Sequence, residues 1–358
     1  MSSPGTIRRL QISELDSPRY RALVEALFGK GCWEGHRRYC RWLYEDNPAA
    51  ERADTVAIYV CEHEGRFVGQ TGLLPFDMLL RGERCRGGWV IDHYILPEYQ
   101  RKQIGGRFHR AAAADVDVVA SLGMTEGAYA LAKKGGWHDA GRTTRYSRLL
   151  RPLRWARRKA IAMVSSRAKL LPQAEPFSMA IRLANGVEVS TVASATELPA
   201  SFESGALGDG VSTRTCRSRS FLQWRYLDNP FWRYSIAHLR LQGQESFAVW
   251  RLVDVPPLRR GVLVDLLHTR QPPANILARF AHAILELMKA SGADAFDCQT
   301  SDRAFLDALP RGVLSDRAPG MQFVYLEGRS GPTPLIACED WRLYPGDCDV
   351  DTFMARNT

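Results

Sequence analysis

Long apolar runs are absent from this chain of 358 residues, and no segment reaches the ~18 apolar residues of a membrane-spanning helix. The polar stretch Met1–Leu15 has no apolar signal region. The eight cysteines include no Cys-x-x-Cys pair, which favours reduced thiols. Cys32, His36 and Cys40 lie close together without a convincing fourth ligand, so we expect no metal site. These absences predict a cytoplasmic protein.

Acidic residues are missing from one segment, Ala140–Ala174. Ten basic residues occur there: Arg142, Arg145, Arg148, Arg151, Arg154, Arg157, Arg158, Lys159, Arg167 and Lys169. The whole chain carries a net charge of +9, so the remainder is nearly neutral at about −1. The positive charge is therefore a property of this segment and not of the whole protein.

The basic segment has a helical pattern over 151–175, between the two halves of the chain. Its apolar positions recur at helical spacing: Leu153, Ala156, Ala160 and Val164. One interpretation is a linker helix that packs through this apolar stripe and exposes a basic face. The other is a surface, over 142–169, for anionic lipid, an acidic substrate or cofactor phosphates. No nucleic-acid motif accompanies the charge, so we do not expect nucleic acid as a partner.

A motif is repeated along the chain. The segment from Trp42 to Pro48 recurs 182 residues later, from Trp224 to Pro230, and both copies fit W-x-Y-x-D-N-P. Length also favours two domains, and a composition of 45% hydrophobic and 24% charged residues is typical of soluble globular proteins. A period close to a whole domain indicates a tandem duplication and not a solenoid.

The predicted elements after each copy follow the same order. They are two strands joined by a turn, a strand with an embedded aspartate, a Pro-containing loop, a helix, a further strand and a short helical segment. In the first half these are 55–61, 66–72, the strand with Asp92, 107–122, 124–131 and 130–136. In the second they are 234–241, 246–252, the strand with Asp265, 275–291, 295–300 and 302–312. We predict domains at 1–150 and 176–358, joined by 151–175.

A short basic loop follows the strand that carries Asp92. Pro97 ends the strand because proline cannot donate to a sheet ladder. Gly105 and Gly106 allow a tight turn and a close approach of the backbone to a ligand. A helix from about Gly106 presents unpaired N–H groups near basic side chains: Arg101, Lys102 and Arg107. The pattern is that of an anion site, most naturally for a pyrophosphate, although an ordinary strand–turn–helix connection also fits it.

This loop resembles that of the GNAT acyltransferases, which have the form Gln/Arg-x-x-Gly-x-Gly/Ala, often after Pro-Glu-Tyr. Gln100, Gly105 and Gly106 match, whereas Gln103 replaces the usual first glycine. The resemblance implies that acetyl-CoA or another acyl-CoA binds along the strand and loop, at Tyr94, Ile95, Gln100, Arg101, Lys102, Gln103, Ile104, Gly105, Gly106 and Arg107.

The resemblance also implies the fold. We expect an α/β (α+β) protein of two tandem GNAT-like domains, each with a mixed, mostly antiparallel central sheet flanked by helices. In the second half Gln271-Pro-Pro-Ala-Asn275 stands where the loop would be, and prolines supply no N–H donors. The second domain is therefore expected to be degenerate and unable to bind a pyrophosphate.

Acyl transfer from a thioester requires a neutral amine held against the carbonyl and a donor for the oxyanion. The resemblance places the backbone near Ile95 opposite the thioester oxygen. Asp92 or His93 is a candidate to relay the amine proton. His93 is equally consistent with a core imidazole, and the recurrence of Asp265 favours a structural role for Asp92.

The general acid departs from the family pattern. The segment from Ala132 to Trp137 resembles the GNAT Tyr-x-x-x-Gly-Phe pattern, but Ala132 replaces the tyrosine. Tyr129, one helical turn earlier, is the candidate substitute.

We predict an acyl-CoA-dependent N-acyltransferase that acts on an amino group of a small molecule or sugar by direct transfer in a ternary complex. The W-x-Y-x-x-N-P segment resembles a GNAT subgroup with such substrates. The alternatives are a catalytically silent CoA-binding protein and a peripheral membrane or polyanion-binding scaffold. The sequence carries no signal for the oligomeric state.

Overall fold

The structure is a computed structural model. More of its described residues lie in β-strands than in helices, and tight turns join several of the strands. The structure describes residues 5–32, 36–51, 53–164, 180–205, 207, 210–255, 258–329, 331 and 336–348, without the side chains of 161–164. The described chain divides into two units. The first comprises Met1–Gly141 with Gln322–Ala337, and the second comprises Arg142–Met321 with Cys338–Thr358.

The elements up to residue 149 combine strands with short helices. They are β1 (Thr6–Gln11), α1 (Pro18–Phe28), α2 (Arg37–Cys40), β2 (Thr55–His63), β3 (Arg66–Leu80), β4 (Glu83–Ile95), α3 (Ile104–Asp115), β5 (Val118–Leu122), α4 (Glu126–Lys134) and β6 (His138–Leu149). A π-helical turn, Arg41–Glu45, continues α2 and carries part of the repeated motif.

The later elements begin with the basic helix. They are α5 (Pro152–Val164), β7 (Ala180–Arg182), β8 (Glu188–Thr191), β9 (Arg214–Thr215), α6 (Arg219–Leu222), β10 (Ser235–Leu241), β11 (Gln244–Val255), β12 (Leu258–His268), α7 (Ala274–Ala290), β13 (Ala295–Thr300), α8 (Arg303–Ala308) and β14 (Ser315–Glu327). The π-helical turn Gln223–Leu227 continues α6, as its counterpart continues α2.

The sheet of the first unit has the order β1-β2-β3-β4-β5-β14. Its neighbours are antiparallel except for β4 and β5, which are parallel. Helix α3 packs on this sheet. Its fully buried Phe108 and Ala112 and the sheet residues Val60 and Trp89 belong to the core of this unit. Burial of these apolar side chains is the main stabilising term for the sheet–helix pair.

The sheet of the second unit has the order β6-β13-β12-β11-β10-β8-β7. Again one pair, β12 with β13, is parallel and the others are antiparallel. Helix α7 covers this sheet through a buried stripe that includes Leu277, Phe280 and Ile284. The mixed, mostly antiparallel sheet with flanking helices expected from the sequence is present in each unit.

The two units exchange strands. The end of β14, Phe323–Glu327, pairs with β5 in the first unit. The end of β6, Thr144–Leu149, pairs with β13 in the second unit. The units therefore do not follow the sequence division at 150. The first unit includes residues 322–337, which follow most of the second unit in the chain, and the second unit begins at Arg142, within β6.

Two predicted elements in the first half are wrong. The helix expected over 107–122 ends at Asp115, and Val118–Leu122 is strand β5. The strand expected over 124–131 is instead helix α4, whose N-cap Thr125 accepts a hydrogen bond from the Ala128 N–H. The alanine-rich run obscured the helix end, whereas the β-branched valines that follow favour a strand.

The basic helix is turned opposite to the linker interpretation. Leu153, on the expected buried stripe, is 87% exposed. Arg154 and Arg158 instead form ion pairs with Asp294, whose side chain is fully buried. A buried carboxylate requires cationic partners more strongly than one leucine requires burial, so the arginines face inward. Residues 165–175 of the predicted helix lie outside the described residues.

Candidate functional site

A β-bulge lies at the embedded aspartate of β4. Gln70 pairs with Tyr94 and Gly72 with Ile91, so two residues of β4, Asp92 and His93, oppose Thr71 alone. Asp92 has a φ of 48°, in the left-handed region that disfavours side chains. Such a bulge bends the strand and redirects its side chains. The strain is typical of positions where a fold aims a side chain at a site.

The bulge leaves Asp92 and Tyr94 on the α1–α2 side of β4. The Asp92 side chain is buried. The pKa of the Tyr44 phenol is raised, first by the burial of Tyr44 and next by the charge of Asp92. Tyr94 is 47% exposed and packs edge-on against Phe28 of α1, with ring centroids 4.7 Å apart. The tyrosine of the first W-x-Y-x-D-N-P copy therefore lies near the strand aspartate, a proximity that the motif alone did not reveal.

His93 faces the opposite helix, α3. Its ring lies 4.9 Å from that of His109 and 5.9 Å from that of Phe108. The Trp137 indole N–H donates to His109 Nδ1 at 3.2 Å. Burial lowers the pKa of His93 to about 4, and burial together with the charges of His93 and Arg110 lowers the pKa of His109 to about 3. Both imidazoles are thus neutral near pH 7, each with a lone pair.

The pairing between β4 and β5 stops early. Their parallel ladder joins Gly87 to Val118, Gly88 to Val119 and Trp89 to Ala120, and in the described chain it ends there. Strand β4 continues to Ile95. Strand β5 ends at Leu122, and its other edge pairs with β14. Residues 90–95 of β4 are thus not paired with β5 in the described chain, and His93 and Ile95 lie next to Gly105 in the first turn of α3. We call this unpaired side of residues 90–95 the opening.

The turn into α3 is made by two residues that are not glycine. Arg101 and Gln103 have φ values of 64° and 61°, and Gln103 is the N-cap of α3. Gln103 occupies the position of the first motif glycine, so the left-handed backbone explains why glycine is usual there. The expectation that Gly105 and Gly106 form the tight turn is wrong, because both lie inside the helix.

The two glycines have different surroundings. A Cβ on Gly105 would meet Leu131 Cδ2 at 2.7 Å and His93 Nε2 at 3.3 Å, so Gly105 allows α3 to pack closely on α4 and β4. A Cβ on Gly106 would meet only Arg110 Nη1, at 3.8 Å. Gly106 is therefore the more open position in the first turn, where helix N–H groups lack intrahelical partners.

The polar loop residues divide into two groups. Arg101 and Lys102 are exposed, and the Lys102 ammonium lies 4.5 Å from the centroid of the Tyr99 ring. The other two are turned to the protein: Gln100 Nε2 donates to the Ile95 carbonyl at 3.3 Å, and Arg107 Nη2 donates to the Gly5 carbonyl at 2.7 Å. Arg107 thus holds strand β1, in addition to the anion-binding role predicted for it. Ile104 is buried beneath the first turn.

Tyr129 is held by a neighbour. Its hydroxyl donates to the Asp139 carboxylate, which also accepts the Gly141 N–H. Burial tends to raise the pKa of Asp139, but these hydrogen bonds prevail and lower it. Ala132, at the position of the usual tyrosine, is fully buried, and its carbonyl accepts the Trp137 N–H. The structure brings His93 to the opening beside β4 and engages Tyr129 elsewhere.

The second unit has a bulge at the matching place. Val249 pairs with Asp265 and Trp250 with Leu263, which leaves Val264 as the extra residue of β12. Tyr226 donates to the Asp265 carboxylate at 2.8 Å, so the tyrosine of the second motif copy also lies next to the strand aspartate. Here the charge of the aspartate is balanced by an arginine, because Arg217 Nε lies 2.5 Å from the same oxygen.

The opening of the second unit is filled. The ladder of β12 with β13 ends at Leu263 and Cys298, and the chain's own segment 341–347 lies at the strand ends beyond. Leu343 exchanges hydrogen bonds with Thr300 and Ser301, and a Cβ on Gly346 would lie 3.0 Å from the Val264 carbonyl oxygen. Asp347 pairs with Arg217 at 2.9 Å. This arrangement, together with the prolines before α7, leaves no comparable opening in the described part of the unit.

No cluster of three or more metal-ligating side chains occurs within the described ranges. Nor does any helix described there have the length and apolar character to cross a bilayer. His109 and Leu131 were not predicted as site neighbours, and neither belongs to the repeated motif that contains Tyr44.

Comparison with known proteins identifies the first unit. A family model described as an acetyltransferase (GNAT) domain matches residues 7–137. Residues 7–137 belong to the GNAT family. No curated relative matches the chain.

Solved structures share the GNAT fold over most of the chain. One is a probable N-acyltransferase of unknown function from Enterococcus faecalis V583 (TM-score 0.58, 11% identity, 90% of this chain and 72% of that chain). Another is a GCN5-related N-acetyltransferase from Anabaena variabilis ATCC 29413 (TM-score 0.58, 12% identity, 89% and 72%). A third is the N-myristoyltransferase of Saccharomyces cerevisiae with bound myristoyl-CoA (TM-score 0.52, 10% identity, 91% and 83%). At these identities the likeness concerns the fold alone.

Proposed function

We propose that the GNAT unit is an acyl-CoA-dependent N-acyltransferase for an amino group of a small molecule or amino sugar. The observation that carries the proposal is the opening where the β4–β5 ladder ends, because it lies next to the first turn of a 12-residue helix. The second unit, with the same strand order around its parallel pair, is proposed to be a degenerate copy. The myristoyl-CoA bound in the yeast structure supports a thioester cofactor for this fold.

The residues present fit the cofactor. Its diphosphate would meet the free N–H groups at the start of α3 and the exposed Arg101 and Lys102. Its pantetheine arm would follow residues 90–95, where β4 has no β5 partner in the described chain, with the thioester near Ile95. The cofactor supplies the activated acyl group, and the chain supplies orientation.

Transfer requires a neutral amine at the thioester carbon. The C–N bond forms as the C–S bond breaks, the amine proton passes to a base, and the thiolate leaves. Asp92 is suited to attract and orient a cationic amine. Neutral His93 is available as the base, directly or through water. We propose Asp92 or His93 as the proton acceptor, since burial keeps the His93 imidazole neutral and the Asp92 carboxylate lies on the other face of the same strand.

Tyr129 would act as general acid only after releasing Asp139. Thiolate departure does not require an acid, since a thiol with a pKa of ~8.5 is a fair leaving group. The Tyr129–Asp139 bond and Ala132 nevertheless favour a second candidate function, a silent CoA-binding protein.

Calorimetry with acetyl-CoA, followed by a thiol-release assay with a panel of amines, distinguishes the two candidates. Binding with amine-dependent thiol release supports the enzyme, and binding without release by any amine supports the silent protein. Gly106→Asp adds a carboxylate at the open first turn of α3, and we expect about ten-fold weaker binding or more.

The matched control is Ala274→Asp, which adds the same carboxylate to the exposed first turn of α7 in the second unit. We expect its affinity for acetyl-CoA to equal that of the wild type. Weaker binding by the control with unchanged binding by Gly106→Asp would move the cofactor to the second unit and reject the assignment.

A further inference from the structure

The outward face of helix α5 has no part in the proposed site. The ion pairs of Arg154 and Arg158 with Asp294 fix the rotation of this helix. That rotation exposes Leu153, Arg157 and Lys159. The helix therefore shows solvent a face that is both apolar and cationic.

A neighbouring loop of the same unit adds further apolar tips. The Leu149 N–H donates to the Leu314 carbonyl at 2.9 Å, and the Tyr146 hydroxyl donates to the Pro310 carbonyl at 2.6 Å. Residues 310–314 thus lie beside the end of β6, three residues before α5. Val313 is fully exposed and Leu314 is 42% exposed.

We define the basic corner as the apolar tips and the cations around them: Leu153, Val313 and Leu314 with Arg148, Arg157, Lys159 and Arg311. Six large apolar side chains are exposed in the described chain, and three of them belong to this corner. Arg311 forms an ion pair with Asp307, and nearby Arg145 forms one with Asp316, so acidic groups border the corner. Arg157 and Lys159, by contrast, extend from a helix that has no acidic residue.

We propose that the basic corner docks on the surface of an anionic lipid bilayer. Cations attract the lipid headgroups, and each contributes most within a Debye length of the membrane. Leucine and valine tips enter the boundary between headgroups and acyl chains, where their burial is favourable. The exposed tips are aliphatic, whereas single-stranded nucleic acid would require exposed aromatic rings for stacking. The attachment is peripheral, because α5 has 13 residues and lies along its unit.

Vesicle sedimentation tests the proposal on the full chain. The wild type should bind vesicles that contain about 30% phosphatidylserine and not vesicles of phosphatidylcholine alone, and binding should weaken from about 50 to 300 mM salt. The double variants Arg157→Glu/Lys159→Glu and Leu153→Asp/Val313→Asp should each lose about ten-fold or more of the affinity. All four side chains are exposed, so circular dichroism and the thermal midpoint should match the wild type.

The charge-matched control is Arg66→Glu/Arg270→Glu, at exposed positions outside the corner, and it should bind like the wild type. Equal binding to neutral vesicles, no binding at low salt, or equal losses in the control overturn the proposal. So does tight binding to polyglutamate or to duplex DNA without binding to vesicles, since the partner would then be a protein or a nucleic acid. Acetyl transfer in solution is expected to be unchanged in the corner variants.

Discussion

Gln103 determines the geometry of the cofactor loop from an unfavourable conformation. A left-handed φ costs a residue with a Cβ about 1 kcal/mol or more, and Gln103 adopts it at the N-cap of α3. A side chain at this position does not abolish the turn, because Gln103 itself adopts the left-handed region. Arg101 does the same two residues earlier. The motif mismatch at Gln103 is therefore a local energetic cost, and the anion-binding helix end is retained.

Replacing Gln103 by glycine should stabilise the first unit. Relief of the left-handed strain exceeds the added entropy of the unfolded chain, so we expect a gain of about 0.5 to 1 kcal/mol in the free energy of unfolding. Urea denaturation measures it. Gln100→Gly, at a residue with an extended backbone, is the control and should be destabilising or neutral. A loss of stability in Gln103→Gly would contradict the assigned strain.

The buried imidazoles make stability depend on pH. His93 and His109 have pKa values of about 4 and about 3 in the folded protein and 6.5 as unperturbed groups. The unfolded chain therefore takes up protons first as the pH falls below 6.5, and each imidazole costs up to about 1.4 kcal/mol per pH unit. Their stabilising contribution is complete above pH 6.5 and is lost progressively below it.

We expect His109→Gln to flatten this dependence between pH 5 and 6.5, above the range in which most carboxylates titrate. Glutamine can accept the Trp137 hydrogen bond and does not ionise. Urea midpoints at half-unit steps measure the slope. His282→Gln, on an exposed helical position, controls for the substitution itself. Identical slopes in the wild type and His109→Gln would disprove the argument.

At the scale of elements, one buried carboxylate orients the whole of helix α5. Asp294 also accepts the Arg259 N–H at 3.0 Å, so it joins the helix to the start of β12. Burial is the largest influence on Arg158 and lowers its pKa, against the opposing charge of Asp294. The pattern of the helix sequence favours the apolar stripe inward, and a single residue 136 positions later reverses that orientation.

Asp294→Ala should cost about 3 kcal/mol of unfolding free energy, because it leaves two inward-facing guanidinium groups without their partner. Arg157→Ala, on the outward face of the same helix, should change it by less than about 0.5 kcal/mol. Chemical denaturation of both variants provides the comparison. Equal costs would show that Asp294 does not orient the helix.

At the scale of the whole molecule, the exchange of strands makes the two units interdependent. Phe323 is fully buried in the first unit, 6.0 Å from the Trp89 ring, although it follows almost the entire second unit in the chain. The filled opening of the second unit has a similar origin, since residues 341–347 come from the far end of the chain. Neither arrangement leaves a trace in the local sequence pattern.

A fragment of residues 1–150 is therefore expected not to fold, since it lacks the strand that pairs with β5. Joining residues 322–337 to it through a flexible linker should restore a cooperative thermal transition. Circular dichroism of both fragments measures the difference. A cooperative transition in 1–150 alone would show that Phe323–Glu327 is dispensable.

Sequence patterns predicted the fold class, both hairpins, the embedded aspartates and the helix after Pro97. They did not predict the end of α3, where alanine gives way to valine without a breaker, or the rotation of α5. They also placed the tight turn at Gly105 and Gly106, whereas the turn is made by Arg101 and Gln103. Composition does not show that Arg101 and Gln103 adopt positive φ, because their side chains merely tolerate that conformation under tertiary constraint.

What the sequence by itself determined is local: strand and helix periods, the proline that ends β4, and the repeated motif. These follow from short-range sterics and from the period of apolar residues. What only the tertiary structure decided is which distant groups meet: Asp294 with α5, Phe323 with β5, and residues 341–347 with the second opening. Those choices depend on burial and charge pairing between residues far apart in the chain, and such energies exist only once the chain is folded.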